Sequence, residues 1–282
     1  MPELPEIEII CRGVHKGLIA SGEKPIIRKV KLYRRDLRVP FPKNFSRKII
    51  GEHILQIRRR AKYLLFDTET TTIISHLGMS GSWRLTAAYV HGNKIKRKKH
   101  DHCEVYFSDG SKLIYHDPRR FGLIDCVPRN QEQQSRWLKH LGVEPLTKDF
   151  TANYLQKKAS SRPSINIKSF IMNQTVVVGV GNIYASEALF AARIHPLSKV
   201  NSISKEQWVE LVRSIKKVLA RAIRYGGTTL RDYRQATGET GSYQKKLYVY
   251  ARAGEKCHSC NMTIMSQMVA GRSTFWCSAC QK

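Results

Sequence analysis

Four of the chain's seven cysteines form two pairs. Two residues lie between Cys257 and Cys260, as between Cys277 and Cys280, and sixteen residues separate the pairs. Each pair can set two thiolates on one edge of a metal ion, and two pairs complete a tetrahedron. Such a tail can close around an ion or through two disulfides. The second route needs an oxidising compartment, to which nothing in the sequence points. One zinc ion is therefore expected, and with four sulfur ligands it keeps no open position, so its role is structural. Between the pairs, Ala270-Gly271-Arg272-Ser273-Thr274-Phe275 reads as the turn of a β-hairpin. An arginine there would be held out toward a groove or a phosphate. Cys11, Cys103 and Cys126 lie among apolar neighbours and read as small buried hydrophobes.

The rest of the 282 residues suits two modest domains. Residues 3–19 predict a helix, because Leu4, Ile7, Cys11, Val14 and Leu18 recur at helical spacing behind Pro2 and acidic first-turn residues. Short β-type runs follow at 26–33, 54–60, 63–67, 72–76, 103–107, 112–116 and 121–127, which predict a β-sandwich or barrel. Helical periodicity takes over at 131–141, 149–159, 164–173, 183–194 and 204–225. The expected fold is thus α+β and multidomain: an N-terminal helix and β-sandwich over 1–130, a helical domain over 131–245, and a zinc-finger β-hairpin over 246–282.

Charge narrows the partner. Lysine and arginine number 49 against 22 acidic residues, a formal +27. Solubility needs far less imbalance, so a polyanion is expected, and nucleic acid before an anionic membrane, since no basic amphipathic helix stands at a terminus. No run of 18 apolar residues and no basic-then-apolar leader is present, which leads to an expectation of cytosol or nucleoid. The basic run at 94–99 reads as a loop; whether it meets DNA or only solvent is open at this point.

Several residues carry possible chemistry. Pro2 would bear a secondary amine once Met1 is removed, able to attack a sugar carbon and form a Schiff base, with Glu3 beside it to move protons. Arg58, Arg60 and Lys62 alternate, so a strand through them would line three cations along one face. Gly179-Val180-Gly181-Asn182 is a glycine turn fit for a phosphate or for an ordinary helix cap. Met79 and Phe121 stand in glycine-flanked loops, and taken alone they read as core. His100 and His102 are two histidines without a third ligand, a weak metal signal.

The chain resembles the formamidopyrimidine-DNA glycosylase family. The resemblance rests on Met1-Pro2-Glu3-Leu4-Pro5-Glu6, Arg60-Ala61-Lys62-Tyr63-Leu64-Leu65, His76-Leu77-Gly78-Met79-Ser80-Gly81 and Lys99-His100-Asp101-His102. It continues through Asp117-Pro118-Arg119-Arg120-Phe121-Gly122, the stretch from Val178 to Glu187, Gly226-Gly227-Thr228-Thr229-Leu230 and the four-cysteine tail. These motifs run the whole length in order.

The resemblance implies action on damaged duplex DNA, with a helix–two-turn–helix in its C-terminal half; a monomer is expected, since one damaged base needs one site. It implies Pro2 as nucleophile at C1′, Glu3 as proton relay with Glu6 assisting, and Lys62 serving β-elimination. Arg272 would serve δ-elimination and hold phosphates together with Lys168 and Asn182, and His100 would contact another phosphate. Met79, Arg119 and Phe121 would fill the space an extruded base leaves. Leu4-Pro5 and the Arg119/Phe121 spacing resemble the branch acting on oxidised purines rather than pyrimidines. The segment 226–244 would then close over the flipped base. Where the family often has a further basic residue, Ser161-Arg162-Pro163-Ser164 stands, and Arg162 is an ambiguous substitute. The different class of reading is a zinc-bearing DNA binder without catalysis, which would need neither Pro2, Glu3 nor Lys62.

Overall fold

The computed structural model describes residues 1–19, 22, 24–86, 96–228 and 241–282. They form two compact units. The first comprises Met1–Pro2, Glu6–Lys139 and Thr228–Gly241, and the second Glu3–Pro5, His140–Gly227 and Ser242–Lys282.

The first unit is a β-sandwich with a helix. Helix α1 (Leu4–Ile19) buries Ile7, Ile10, Cys11, Val14 and Leu18, as its periodicity requires. Among the described residues ten strands form, eight of them here: β1 (Ile27–Leu32), β2 (Gln56–Arg60), β3 (Tyr63–Asp67), β4 (Thr71–His76), β5 (Ser82–Thr86), β6 (Asp101–Phe107), β7 (Lys112–His116) and β8 (Leu123–Pro128). They make two antiparallel sheets, ordered β1-β6-β7-β5 and β2-β3-β4-β8. One core takes side chains from both, including Leu64, Phe66, Ile73, Trp83, Cys103, Val105, Leu113 and Cys126. Across it the Trp83 ring meets Phe66 edge-on at 5.5 Å and its indole N–H donates to Ser75 Oγ at 2.9 Å.

Three local readings change. Ser82–Thr86, not expected as a strand, pairs with β7. The short helix α2 (Phe45–Ile49) was also not foreseen; it is entered through left-handed Asn44 and buries Phe45 and Ile49. The helix expected over 131–141 shrinks to one 3-10 turn, Glu132–Gln134. There Glu132 is drawn to Arg58 at 2.7 Å and the Trp137 indole to Asp125 at 2.6 Å, and these tertiary ties outweigh weak local helix preference.

The second unit is helical with a hairpin. It contains α3 (Ala152–Ala159), α4 (Ile167–Met172), α5 (Asn182–Ala191) and α6 (Lys205–Arg224), then β9 (Ile264–Val269) and β10 (Arg272–Cys277). Ser204 and Gln207 close a capping box on α6, while Thr151 and Asn166 cap α3 and α4. Ala270 and Gly271, both at positive φ, make the two-residue turn between β9 and β10, so Arg272 opens β10. No helix among the described residues is long and apolar enough to cross a membrane. The greater part of the 226–244 segment, and Lys94 and Ile95 of the basic run, lie outside the described residues.

Candidate active site and nucleic-acid interface

Helix α5 organises the candidate residues of the second unit. The Glu3 carboxylate accepts hydrogen bonds from the backbone N–H of Gly181 at 2.7 Å, Ile183 at 3.0 Å and Tyr184 at 3.4 Å. These are amides that a helix start leaves without intrahelical partners, and the helix dipole favours an anion there. The glycine turn is therefore filled by a carboxylate of the chain itself, which corrects the reading of its amides as a phosphate cradle. The approach also explains the glycines. A Cβ on Gly181 would collide with Glu3, and one on Gly179, at φ 79°, would collide with Leu4. Gln174 completes the turn, accepting from Gly179 N–H at 2.8 Å and donating to Val180 at 3.0 Å.

Three of the expected phosphate contacts converge. Lys168, on α4 and only 2% exposed, donates through Nζ to Thr274 Oγ1 at 2.7 Å and the Ser273 carbonyl at 3.2 Å. The Asn182 amide donates to that same carbonyl at 2.9 Å. Lys168 and Arg272 line an open pocket of about 200 Å³ with Ser169, Met172, Asn173, Val269 and Ala270. Burial, then the nearby Arg272 charge, pulls the Lys168 amine down to about 8, against an upward pull from Glu3. A pocket with two cations and one spare lysine N–H is suited to an oxyanion.

Behind the hairpin the four cysteines are assembled, with their sulfurs all within 4.8 Å of one another. Cys257 Sγ is 4.0 Å from Cys280 Sγ, and Cys260 Sγ is 3.4 Å from Cys277 Sγ. Those spacings exceed a disulfide bond of about 2.05 Å, and all four are free thiols. A tetrahedron of ligands about 2.3 Å from zinc has edges of about 3.8 Å, so the donor set fits one such ion. Two connections tie the cluster down. Buried Glu187 accepts from the N–H groups of Tyr248, Val249 and Tyr250, and Gln281 bridges Cys277 N–H and the Ile194 carbonyl. Glu187 stood in a quoted motif without a role. Burial raises its carboxyl even though three amides oppose the shift.

The first unit holds the remaining residues. Pro2 is buried, and its nitrogen is an amide while Met1 precedes it. Glu6, also buried, accepts from the N–H and hydroxyl of Thr228, both at 2.9 Å. Strand β2 ends at Arg60, so Lys62 falls in the tight turn with left-handed Ala61 rather than on a continuing strand face. Arg58 is engaged by Asp67 at 2.6 Å and Glu132 at 2.7 Å. The row of three alternating cations is thus not formed: Arg58 is structural, and Lys62, 6% exposed, lies in the turn beyond the strand. Near Lys62 lies His76, brought down to about 4 by burial, then by the charges of Lys62 and Arg38. It is neutral near pH 7, and its Nδ1 accepts from Gly78 N–H at 3.0 Å.

Met79 and Phe121 are exposed, 40% and 46%, contrary to the core reading. Their loops are pinned together by Asp117. This fully buried carboxylate accepts from Ser80 Oγ at 2.6 Å and Gly122 N–H at 2.9 Å, while Ser80 Oγ accepts from Arg119 N–H at 3.1 Å. The Arg119 guanidinium lies 4.6 Å over the Phe121 ring. Sequence reasoning gave Asp117 no role; its signal was the Asp-Pro step before two arginines. His100 is half-buried, with its ring edge-on to His116 at 5.9 Å. His102 is tied by Nε2 to the Asp117 carbonyl at 2.8 Å, so the pair builds no metal site. Arg162 reaches Thr175 Oγ1 at 3.5 Å.

Comparison with known proteins agrees along the whole chain. Residues 1–124 match the formamidopyrimidine-DNA glycosylase N-terminal domain, and residues 141–234 match the H2TH domain of the same glycosylases. The formamidopyrimidine-DNA glycosylases of Bdellovibrio bacteriovorus and Vibrio atlanticus are 43% and 44% identical over 282 residues, covering all of both chains. Among solved structures, a Lactococcus lactis Fpg mutant bound to Fapy-dG-containing DNA superposes with a TM-score of 0.88 at 34% identity, with full coverage of each chain. The MutM protein of Thermus thermophilus gives 0.86 at 33%, over 99% of this chain and 98% of that one. The chain belongs to the formamidopyrimidine-DNA glycosylase family.

Proposed function

We propose that this protein excises oxidised purines from duplex DNA and then cuts the strand at the resulting site, acting as a monomer. The observation that carries the reading is that Glu3, next in the chain to Pro2, has its carboxylate fixed on three backbone amides. The cap alone would serve any fold, but a binder without catalysis has no use for an N-terminal secondary amine beside it. Relatives solved with Fapy-dG, carbocyclic 8-oxo-G and abasic-site DNA support the substrate class.

After Met1 is removed, the Pro2 amine attacks C1′ of the damaged nucleotide. The C1′–base bond breaks and the base leaves with the proton the amine gives up; Glu3 delivers a proton to the sugar ring oxygen, the C1′–O4′ bond opens to a hydroxyl, and an iminium is left at C1′. Abstraction of a C2′ proton expels the 3′ phosphate, and a second elimination expels the 5′ phosphate. Lys62 stands by the first elimination and Arg272 by the second. Lys168, Asn182 and His100 hold the strand. Met79, Arg119 and Phe121 occupy the space of the extruded base, which offsets an unstacking cost of a few kcal/mol.

The four thiolates would hold one zinc ion, which supplies no chemistry and pins the hairpin bearing Arg272. The chain then divides by task into 1–130 for catalysis, 131–245 for strand binding and 246–282 for the metal-pinned arginine.

The test is borohydride trapping on a duplex with one 8-oxoguanine opposite cytosine, beside a 5-hydroxyuracil duplex. A covalent adduct on the first, lost when the N-terminal amine is blocked, is expected. Glu3→Gln should bind the lesion duplex yet excise about 10²- to 10⁴-fold more slowly. Full cleavage by the blocked protein would refute Pro2 chemistry, and preference for 5-hydroxyuracil would refute the purine assignment.

A further inference from the structure

The basic run leading into His100 is not a loose solvated loop where it is described. The Arg97 guanidinium lies over the Tyr33 ring, 4.3 Å from its centroid. That ring is itself fixed, because the Tyr33 hydroxyl donates to Glu104 at 2.9 Å and Glu104 is buried on β6. One residue on, Lys98 is held twice by Asp101: its N–H donates to Oδ2 at 2.8 Å, and its carbonyl accepts from Asp101 N–H at 3.1 Å. Asp101 is buried and also takes Arg84 at 2.6 Å and His116 at 2.8 Å. Lys96, Arg97, Lys98 and Lys99 nonetheless all remain exposed.

Anchoring the backbone while leaving the cations in water separates this segment from an ordinary charged surface. Surface charges gain little from fixed positions unless a partner with fixed charge spacing meets them. Arg34 and Arg35 at the end of β1 are exposed too, and β1 runs beside β6, with Tyr33 N–H donating to the His102 carbonyl at 2.9 Å. Among the described residues no carboxylate forms an ion pair with the Lys96, Lys98 or Lys99 amines.

We propose that Lys96, Lys98 and Lys99, positioned by Arg97 on Tyr33, form a DNA-backbone contact that prolongs the phosphate track beyond His100 into undamaged duplex. This rests on the reading of His100 as a phosphate contact. Four residues of extended chain reach at most about 14 Å, enough to add one or two phosphates beyond that contact. The partner is the sugar-phosphate backbone of a duplex, bound without regard to sequence.

The experiment measures binding of a duplex of about 30 base pairs against salt concentration, with hydroxyl-radical footprinting. The wild-type protein is compared with the K96Q/K98Q/K99Q variant, whose exposed sites tolerate glutamine. Each phosphate contact contributes about 0.9 to the slope of log affinity against log salt, so the variant should lose roughly one to two units of slope. Its footprint should shorten by one or two nucleotides on one flank. Tyr33→Ala should give part of the same loss, while Tyr33→Phe, which keeps the ring, should largely restore the slope. An unchanged slope and footprint in the triple variant would overturn the proposal. Wild-type excision on the same duplex reads the enzymatic assignment separately: excision with an unmoved slope refutes only the extended track, and a lowered slope without excision refutes only the enzyme.

Discussion

The loops around Asp117 and the pocket around Lys168 use one device for opposite ends. In each, one polar acceptor fixes the backbone or side chains that make a recognition element. Around Asp117 a buried anion gathers Ser80 and Gly122 and presents Met79, Arg119 and Phe121, largely as shape. Around Lys168 the hairpin's Ser273 carbonyl gathers Lys168 and Asn182 beside Arg272, largely as charge. The first should therefore govern base extrusion with little salt dependence, and the second should govern affinity with much of it.

The largest separation should come from the proposed metal. Chelation, or Cys257→Ser, removes the pin behind β9 and β10, and with it the placement of Arg272 and the acceptor shared by Lys168 and Asn182. Charge-assisted contacts contribute about 1.5–3 kcal/mol each, so lesion-duplex affinity should fall about 100-fold or more, with a shallower salt slope. Fluorescence anisotropy across a salt series reads both. Unchanged affinity in the metal-free protein would sink the structural role.

Asp117→Ala attacks the other side. Its removal strands the Ser80 hydroxyl and the Gly122 N–H in a buried setting, and each unsatisfied group costs about 1–3 kcal/mol. Thermal unfolding should show a loss of about 2–4 kcal/mol. The salt slope of the folded protein should stay near wild type while excision falls. A change in slope comparable to that of the metal-free protein would erase the contrast between the two regions.

How much of this was legible in the residues depends on distance along the chain. Helix α1, β3 and β7 were readable because their apolar spacing is local. The four-cysteine cluster was readable because two short spacings determine its chemistry. What could not be read were the partners brought from afar: Glu3 on the amides of α5, Asp117 beneath Ser80, Glu187 beneath residues 248–250. A buried carboxylate looks like any surface acid until the donors around it are known. For the same reason Arg58 read as one of three cations along an open strand face when Asp67 and Glu132 already hold it.

Phe121→Ala should be milder than loss of Asp117, since it removes one wedge and leaves the loop's anchors intact. Single-turnover excision from a lesion duplex should slow about tenfold, a share of the few kcal/mol of unstacking. Phe121→Leu should recover part of that rate, because the Arg119 contact over the ring is secondary to filling the gap. Equal salt slopes for wild type and Phe121→Ala would uphold the assignment of this region to shape.

The smallest effect tests the charge side by pH. Burial and Arg272 bring Lys168 from its usual range near 10.5 down to about 8, so the amine loses its proton within an accessible window. The protonated form is the one that binds phosphate, and a phosphate beside it favours that form. Affinity should therefore fall as pH rises above about 8, by at most about tenfold per pH unit, with about one unit of salt slope lost. Folding stability must move the other way. Between about 8 and the unfolded value near 10.5 the unfolded chain holds the extra proton, so stability from this group rises with pH over that window. Lys168→Met should flatten both trends. An affinity that falls together with stability would point instead to general loosening, and would remove Lys168 from the phosphate contacts.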